Sequence, residues 1–174
     1  MSATSVSATA RTTSRPAPAS ADEEREYEGP FIERILLASE GRPFSPASIA
    51  KVVELARTEH ASVHVFSIAR VYGVAFGLQT PGLAPTRAEW REQHESVQRA
   101  IRSLRKRGVQ ASGHVLGTRK STSKILREAT LEHCDAIVMG ADADRRWPVS
   151  SMLWEQEPQR VARRAALPVY LVRV

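Results

Sequence analysis

Five short strand-like segments, at about residues 35, 63, 109, 136 and 169, are separated by segments whose apolar residues return every three or four positions. Short runs of this kind read as strands, and the intervening period of 3.6 reads as helix. Strands that alternate with helices pair in parallel, joined by right-handed crossovers that cover both faces of the sheet. The pattern therefore predicts β-α-β-α-β-α-β-α-β, an open five-stranded parallel sheet of the α/β class.

Ile35-Leu36-Leu37-Ala38 is continuously apolar and stops at Ser39-Glu40-Gly41, a buried strand and its turn. Ser45 or Pro46 starts a helix whose apolar side is Ile49, Val52, Val53 and Leu55-Ala56. Ala61 to Ala69 alternates and is β-branched, as a strand does, and residues 70–86 read as a long Gly- and Pro-rich loop. Arg87 to Lys106 carries Trp90, His94, Val97, Ala100, Ile101 and Leu104 at helical spacing, with Gly108 as its stop. Val109 to Leu116 alternates like an edge strand, and Ser121 to Leu131 is a helix. Ala136 to Met139 is a buried strand closing on Gly140, residues 141–153 form a second long loop, Glu155 to Ala166 is a helix, and Pro168 to Val174 is the last strand.

Residues 1–29 carry no such pattern. They are rich in Ser, Thr, Ala and Pro and end in an acidic run, too poor in large apolar groups to offset the entropy of ordering. A disordered tail is expected there, followed by one domain over 30–174. The first 30 residues hold three Arg against five acids, which leaves 22 basic and 14 acidic residues for the rest. That surplus attracts anions. No aromatic-rich basic patch accompanies it, which argues against nucleic acid as a partner. No apolar stretch approaches the roughly 18–20 residues of a membrane span. The single cysteine, Cys134, suits a reducing, cytoplasmic setting.

In an open parallel sheet, ligands sit beyond the carboxyl ends of the strands where the strand order reverses. The two most apolar strands, at 35–38 and 136–139, are the candidates for the centre, and both end in small-residue turns that would share one crevice. Arg145 and Arg146 could neutralise an anion there, and Trp147 and Trp154 flank the same loop. The run Thr118 to Lys124 places cations at a helix start, where an anion is welcome, or where a Ser N-cap serves alone. The five histidines, at 60, 64, 94, 114 and 133, show no metal-ligand spacing, and no catalytic constellation stands out, so neither a metal nor an enzyme is expected.

Three segments, ERILLASEG, CDAIVMGAD and RVARRAALPVYLVRV, resemble in order and spacing the first strand, fourth strand and final helix and strand of the universal stress protein family. The resemblance covers about residues 31–174. It implies a sheet ordered 3-2-1-4-5, a fold shared with the adenine nucleotide alpha hydrolases, and a homodimer through the last strand. The apolar residues Val169, Tyr170, Leu171 and Val172, with Arg173, agree with that dimer, because an edge strand so apolar calls for a cover.

One branch of that family binds ATP through Gly-x2-Gly-x9-Gly-Ser/Thr after the fourth strand, where glycines let backbone N–H groups approach phosphate. Gly140 matches the first glycine, but Ala143 stands at the second position and Leu153-Trp154 at the third, or Glu155-Gln156 if the loop is longer. Glu40 replaces the family's Asp after the first strand, while Ala38, Ser39, Ile68 and Met139 match positions that would line an adenosine pocket. The pyrophosphatase loop Ser-Gly-Gly-x-Asp-Ser of the related hydrolases is replaced by Ser39-Glu40-Gly41-Arg42-Pro43. The expectation is a non-enzymatic, dimeric stress or regulatory binding protein with a degenerate phosphate loop and a protein partner. An ATP-binding switch using the same cleft is the alternative.

Overall fold

The computed structural model describes residues 31–70, 74–75, 78–79, 85–141 and 156–173. In chain order its elements are β1 (Arg34–Ser39), α1 (Pro46–Glu59), β2 (Ser62–Arg70), β3 (Val74–Ala75), β4 (Leu78–Gln79), α2 (Arg87–Arg105), β5 (Ala111–Thr118), α3 (Ser121–Leu131), β6 (Ala136–Ala141), α4 (Gln156–Arg164) and β7 (Val169–Arg173). Five strands form one sheet in the order β5-β2-β1-β6-β7, all parallel. Numbered within that sheet alone, the order is 3-2-1-4-5. The two continuously apolar strands do lie side by side, with Leu37 opposite Val138 and Ala38 opposite Met139.

Each strand sends alternate residues to opposite faces, and each face has its own core. Ile35, Leu37, Val63 and Val65 pack under α1 and α2 with Val52, Val97, Ile101 and Leu104. Leu36, Ala38, Phe66, Ile68, Ile137 and Met139 pack under α3 and α4 with Ile125, Ala129 and Val161. β1 and β6 are buried on both faces, which is why neither alternates in sequence. β7 lies at one edge and stays half-exposed, with Leu171 at 38%.

The helix ends follow local chemistry. Ser45 caps α1 by accepting from the Ser48 amide at 3.0 Å, with Pro46 in the first turn. Thr86 and Glu89 form a reciprocal capping box on α2. Gly108, at φ +80°, ends that helix, and the Val109 amide bonds back to Leu104 O at 3.1 Å. That bond explains why β5 begins at Ala111 rather than Val109: the helix cap takes the amide that a strand would need. His133 takes the same left-handed role after α3, at φ 50°.

Two expectations are corrected. The segment 70–86 is not loop throughout: Val74 pairs antiparallel with Gln79, and Ala75 with Leu78. Strands of two residues are too short to show a period. Ser121 is not the N-cap of α3. Lys120 stands there without a side-chain bond, and Ser121 lies inside the helix.

Candidate functional site

Adjacent β1 and β6 bring their carboxyl ends together, and Ala38, Ser39, Glu40 and Gly140 line one cleft with Arg42 and Phe44. The part enclosed by these residues holds about 160 Å³. Sites for drug-sized ligands run to about 300–1,000 Å³, so this part takes a small group rather than a whole nucleotide. Ile68 and Met139 are wholly buried in the core beneath α3 and α4. Ala143, Arg145, Arg146 and Glu155, with Trp147 and Trp154, lie outside the described residues, and Gln156 is described only as the first residue of α4.

The turn after β1 is bonded to itself. Ser39 Oγ accepts from the amides of Gly41 at 3.2 Å and Arg42 at 2.9 Å, and donates to Arg42 O at 2.5 Å. Gly41 sits at φ 105°, where a side chain would strain the backbone. Glu40 is only 2% exposed, and its Oε1 meets Arg42 Nε at 2.5 Å. A carboxylate removed from water needs such a partner. From the opposite side Gln93 of α2 donates to Gly41 O at 2.9 Å and accepts from Ser67 Oγ at 2.7 Å. This buried relay fixes the turn against β2 and α2. Sequence reasoning missed Arg42, Ser67 and Gln93. For Arg42 a signal existed, since opposite charges two residues apart flank a turn glycine.

Among the described residues, the turn after β1 offers a phosphate little to bind. Both amides of the turn are already taken by Ser39, and the nearest charged group on the cleft wall beside the arginine is a carboxylate. The other expected anion site is filled from within the chain. Glu157 of α4 accepts from Ser121 Oγ at 2.8 Å, from the Thr122 amide at 3.1 Å, and from the Thr122 hydroxyl. A carboxylate there complements the positive end of α3. Burial works against this carboxylate, but the hydrogen bonds from Thr122 and Ser121 and the charge of Arg160 outweigh it and hold its pKa below 4.5. Its stabilising effect is thus complete above pH 4.5 and fades as pH falls through the depressed folded value. Glu157→Ala is expected to cost about 1–2 kcal/mol in urea unfolding at pH 7. The difference from wild type should shrink at pH 3.

A second polar cluster lies in the α3-facing layer. His64 of β2 and His114 of β5 stand diagonally across paired strands, with Glu128 of α3 above them. Burial pushes His64 below the ordinary imidazole value against the opposing pull of Glu132 and Glu128. Nearby Cys134 is buried, and its thiol is pushed up to about 12, so it stays protonated. These residues come from three elements, and spacing along the chain hides them.

Comparison with known proteins gives the same fold. A universal stress protein from Archaeoglobus fulgidus matches with a TM-score of 0.59 and 19% identity, covering 80% of this chain and 93% of its own. A universal stress protein from Archaeoglobus fulgidus in complex with dAMP matches at 0.57 and 19%, covering 82% and 98%. A member of the family from Burkholderia pseudomallei matches at 0.58 and 21%, covering 83% and 98%. A comparison with curated proteins finds no match. The universal stress protein family model matches residues 32–173. With the parallel sheet and its order already in place, that match over most of the chain decides the matter: the chain belongs to the universal stress protein family.

Proposed function

We propose that this chain is a non-enzymatic, homodimeric regulatory protein whose family cleft is turned from a phosphate cradle into a self-paired polar site. The observation that carries the reading is the buried Glu40 carboxylate bonded to Arg42 beside Gly140. Among the described residues, the Gly41 and Arg42 amides are bound by Ser39 and the Arg42 guanidinium is paired with Glu40, which leaves the turn after β1 little to offer a triphosphate. The same bonds argue against catalysis: Ser39 is spent as a turn former and Glu40 as an ion-pair partner, so neither is poised as nucleophile or base. The half-exposed apolar edge of β7 supports pairing with a second copy. A cytoplasmic setting suits a chain whose one cysteine is a buried thiol. Among the described residues no helix is long and apolar enough to cross a membrane.

A second reading, a nucleotide-binding switch, is favoured by the dAMP complex of the Archaeoglobus relative. It would rely on Arg145 and Arg146 for the phosphates. Native mass spectrometry of the full chain separates the two. The expected result is a dimer that carries no nucleotide. A monomer, or a species holding one nucleotide per chain, would contradict the proposal.

A further inference from the structure

We propose that His64, His114 and Glu128 form a binding site for a divalent transition metal, with Zn(II) the ion that suits this donor set. Two imidazoles and a carboxylate are ordinary zinc ligands, and three protein ligands leave a fourth position for water or an exogenous group. Tetrahedral zinc with bonds near 2.0–2.1 Å places neighbouring ligand atoms about 3.3 Å apart. Here His64 Nε2 lies 3.1 Å from Glu128 Oε1, and His114 Nε2 lies 3.5 Å from the same oxygen. All three donor atoms fall within 4.8 Å of one another. The wider gap between the two imidazoles closes by a modest rotation of His114, whose side chain is 49% exposed and free to adjust.

The burial of His64 bears on the same place. The His64 side chain is only 7% exposed, yet its Nε2 makes no hydrogen bond among the described residues, although a carboxylate oxygen is 3.1 Å away. A buried imidazole nitrogen held this close to a carboxylate oxygen is joined to it either through a proton or through a cation bound by both, and a metal supplies the second. The other ring nitrogen is held. His64 Nδ1 is 3.4 Å from Ser112 Oγ and 3.6 Å from Glu132 Oε2, and Glu132 is itself fixed by Arg34 at 3.1 Å. A carboxylate that draws the Nδ1–H toward itself keeps the proton on Nδ1 and leaves the Nε2 lone pair for a metal, which is how outer partners orient a ligating histidine. The packing also keeps the His114 ring facing this place. Its ring stands edge-on to Phe66 and to His64, each with centroids 5.3 Å away. A metal here ties β2, β5 and α3 together at the open edge of the sheet. The site is separate from the β1–β6 cleft and stands whether or not that cleft binds nucleotide.

The test uses the untagged full chain, stripped with chelator and dialysed against ZnCl₂, with bound metal measured by mass spectrometry. One zinc per chain is expected, with a Kd of about 10 µM or tighter. His114→Ala, at a half-exposed position, should weaken binding by about 100-fold, and Glu132→Gln by about 10-fold through its hold on His64. His94→Ala, a histidine on α2 bonded to Trp90 O, should leave affinity unchanged. Co(II) added to the wild-type protein should give the intense visible bands of a tetrahedral ion, a readout that depends on no variant. Failure of the wild type to take up one equivalent of zinc overturns the proposal. So does zinc binding that His114→Ala leaves at wild-type strength.

Discussion

Gly113→Ala is expected to destabilise the domain by about 3 kcal/mol or more, or to leave it insoluble. Gly113 sits opposite Val65 in the β2–β5 pair, and an added methyl carbon would lie 2.0 Å from Val65 O and 2.9 Å from Val65 Cβ. The first contact is with backbone, which cannot turn aside as a side-chain tip does. The strands must part, and the pairing of β5 with the sheet is lost around that point. Val115 and Ala111, both buried in the core beneath α2, would then be dragged from their places. Close packing means that such a shift spreads rather than being absorbed. Urea unfolding read by circular dichroism measures it. An unchanged midpoint for Gly113→Ala would mean that β5 is less tightly seated than described.

If the proposed dimer forms through β7, Leu171→Arg is expected to turn it into a folded monomer, weakening self-association by at least about a hundredfold. Leu171 is the exposed apolar side chain on β7, and Tyr170 and Val172 flank it with their own packing against the core beneath α1. The substitution therefore adds a charge to the outer edge without cutting into the core. Two like charges facing each other across a two-fold axis repel, and burying them is costly. Analytical ultracentrifugation reads the outcome, with circular dichroism to confirm the fold. A Leu171→Arg dimer as tight as the wild type would move the interface away from β7.

The architecture was readable because it rests on local signals. A strand buried on both faces must be apolar at every position, so Ile35–Ala38 and Ala136–Met139 mark the centre of the sheet from composition alone. Ser45 and Gly108 mark helix ends because a cap is chemistry between near neighbours in the chain. The site was only half legible. Ala38, Ser39, Glu40 and Gly140 do share one cleft, as the paired turns suggested. What each residue does there depends on partners that periodicity cannot supply. Glu40 answers to Arg42, the turn carbonyl to Gln93, and the start of α3 to Glu157 of another helix. Helix starts are satisfied by whatever the fold delivers, and here it delivers a carboxylate 35 residues on rather than a serine next door. The histidines show the same limit. His64, His114 and Glu128 converge only once β5 has crossed over to pair with β2.

The altered cleft is tested most directly by titrating ATP into the full chain in a calorimeter. With protein at about 100 µM, no saturable heat is expected, which places any Kd in the millimolar range or weaker. One-to-one binding at low micromolar Kd would show that the phosphates find donors despite the Glu40–Arg42 pair, and would contradict the account.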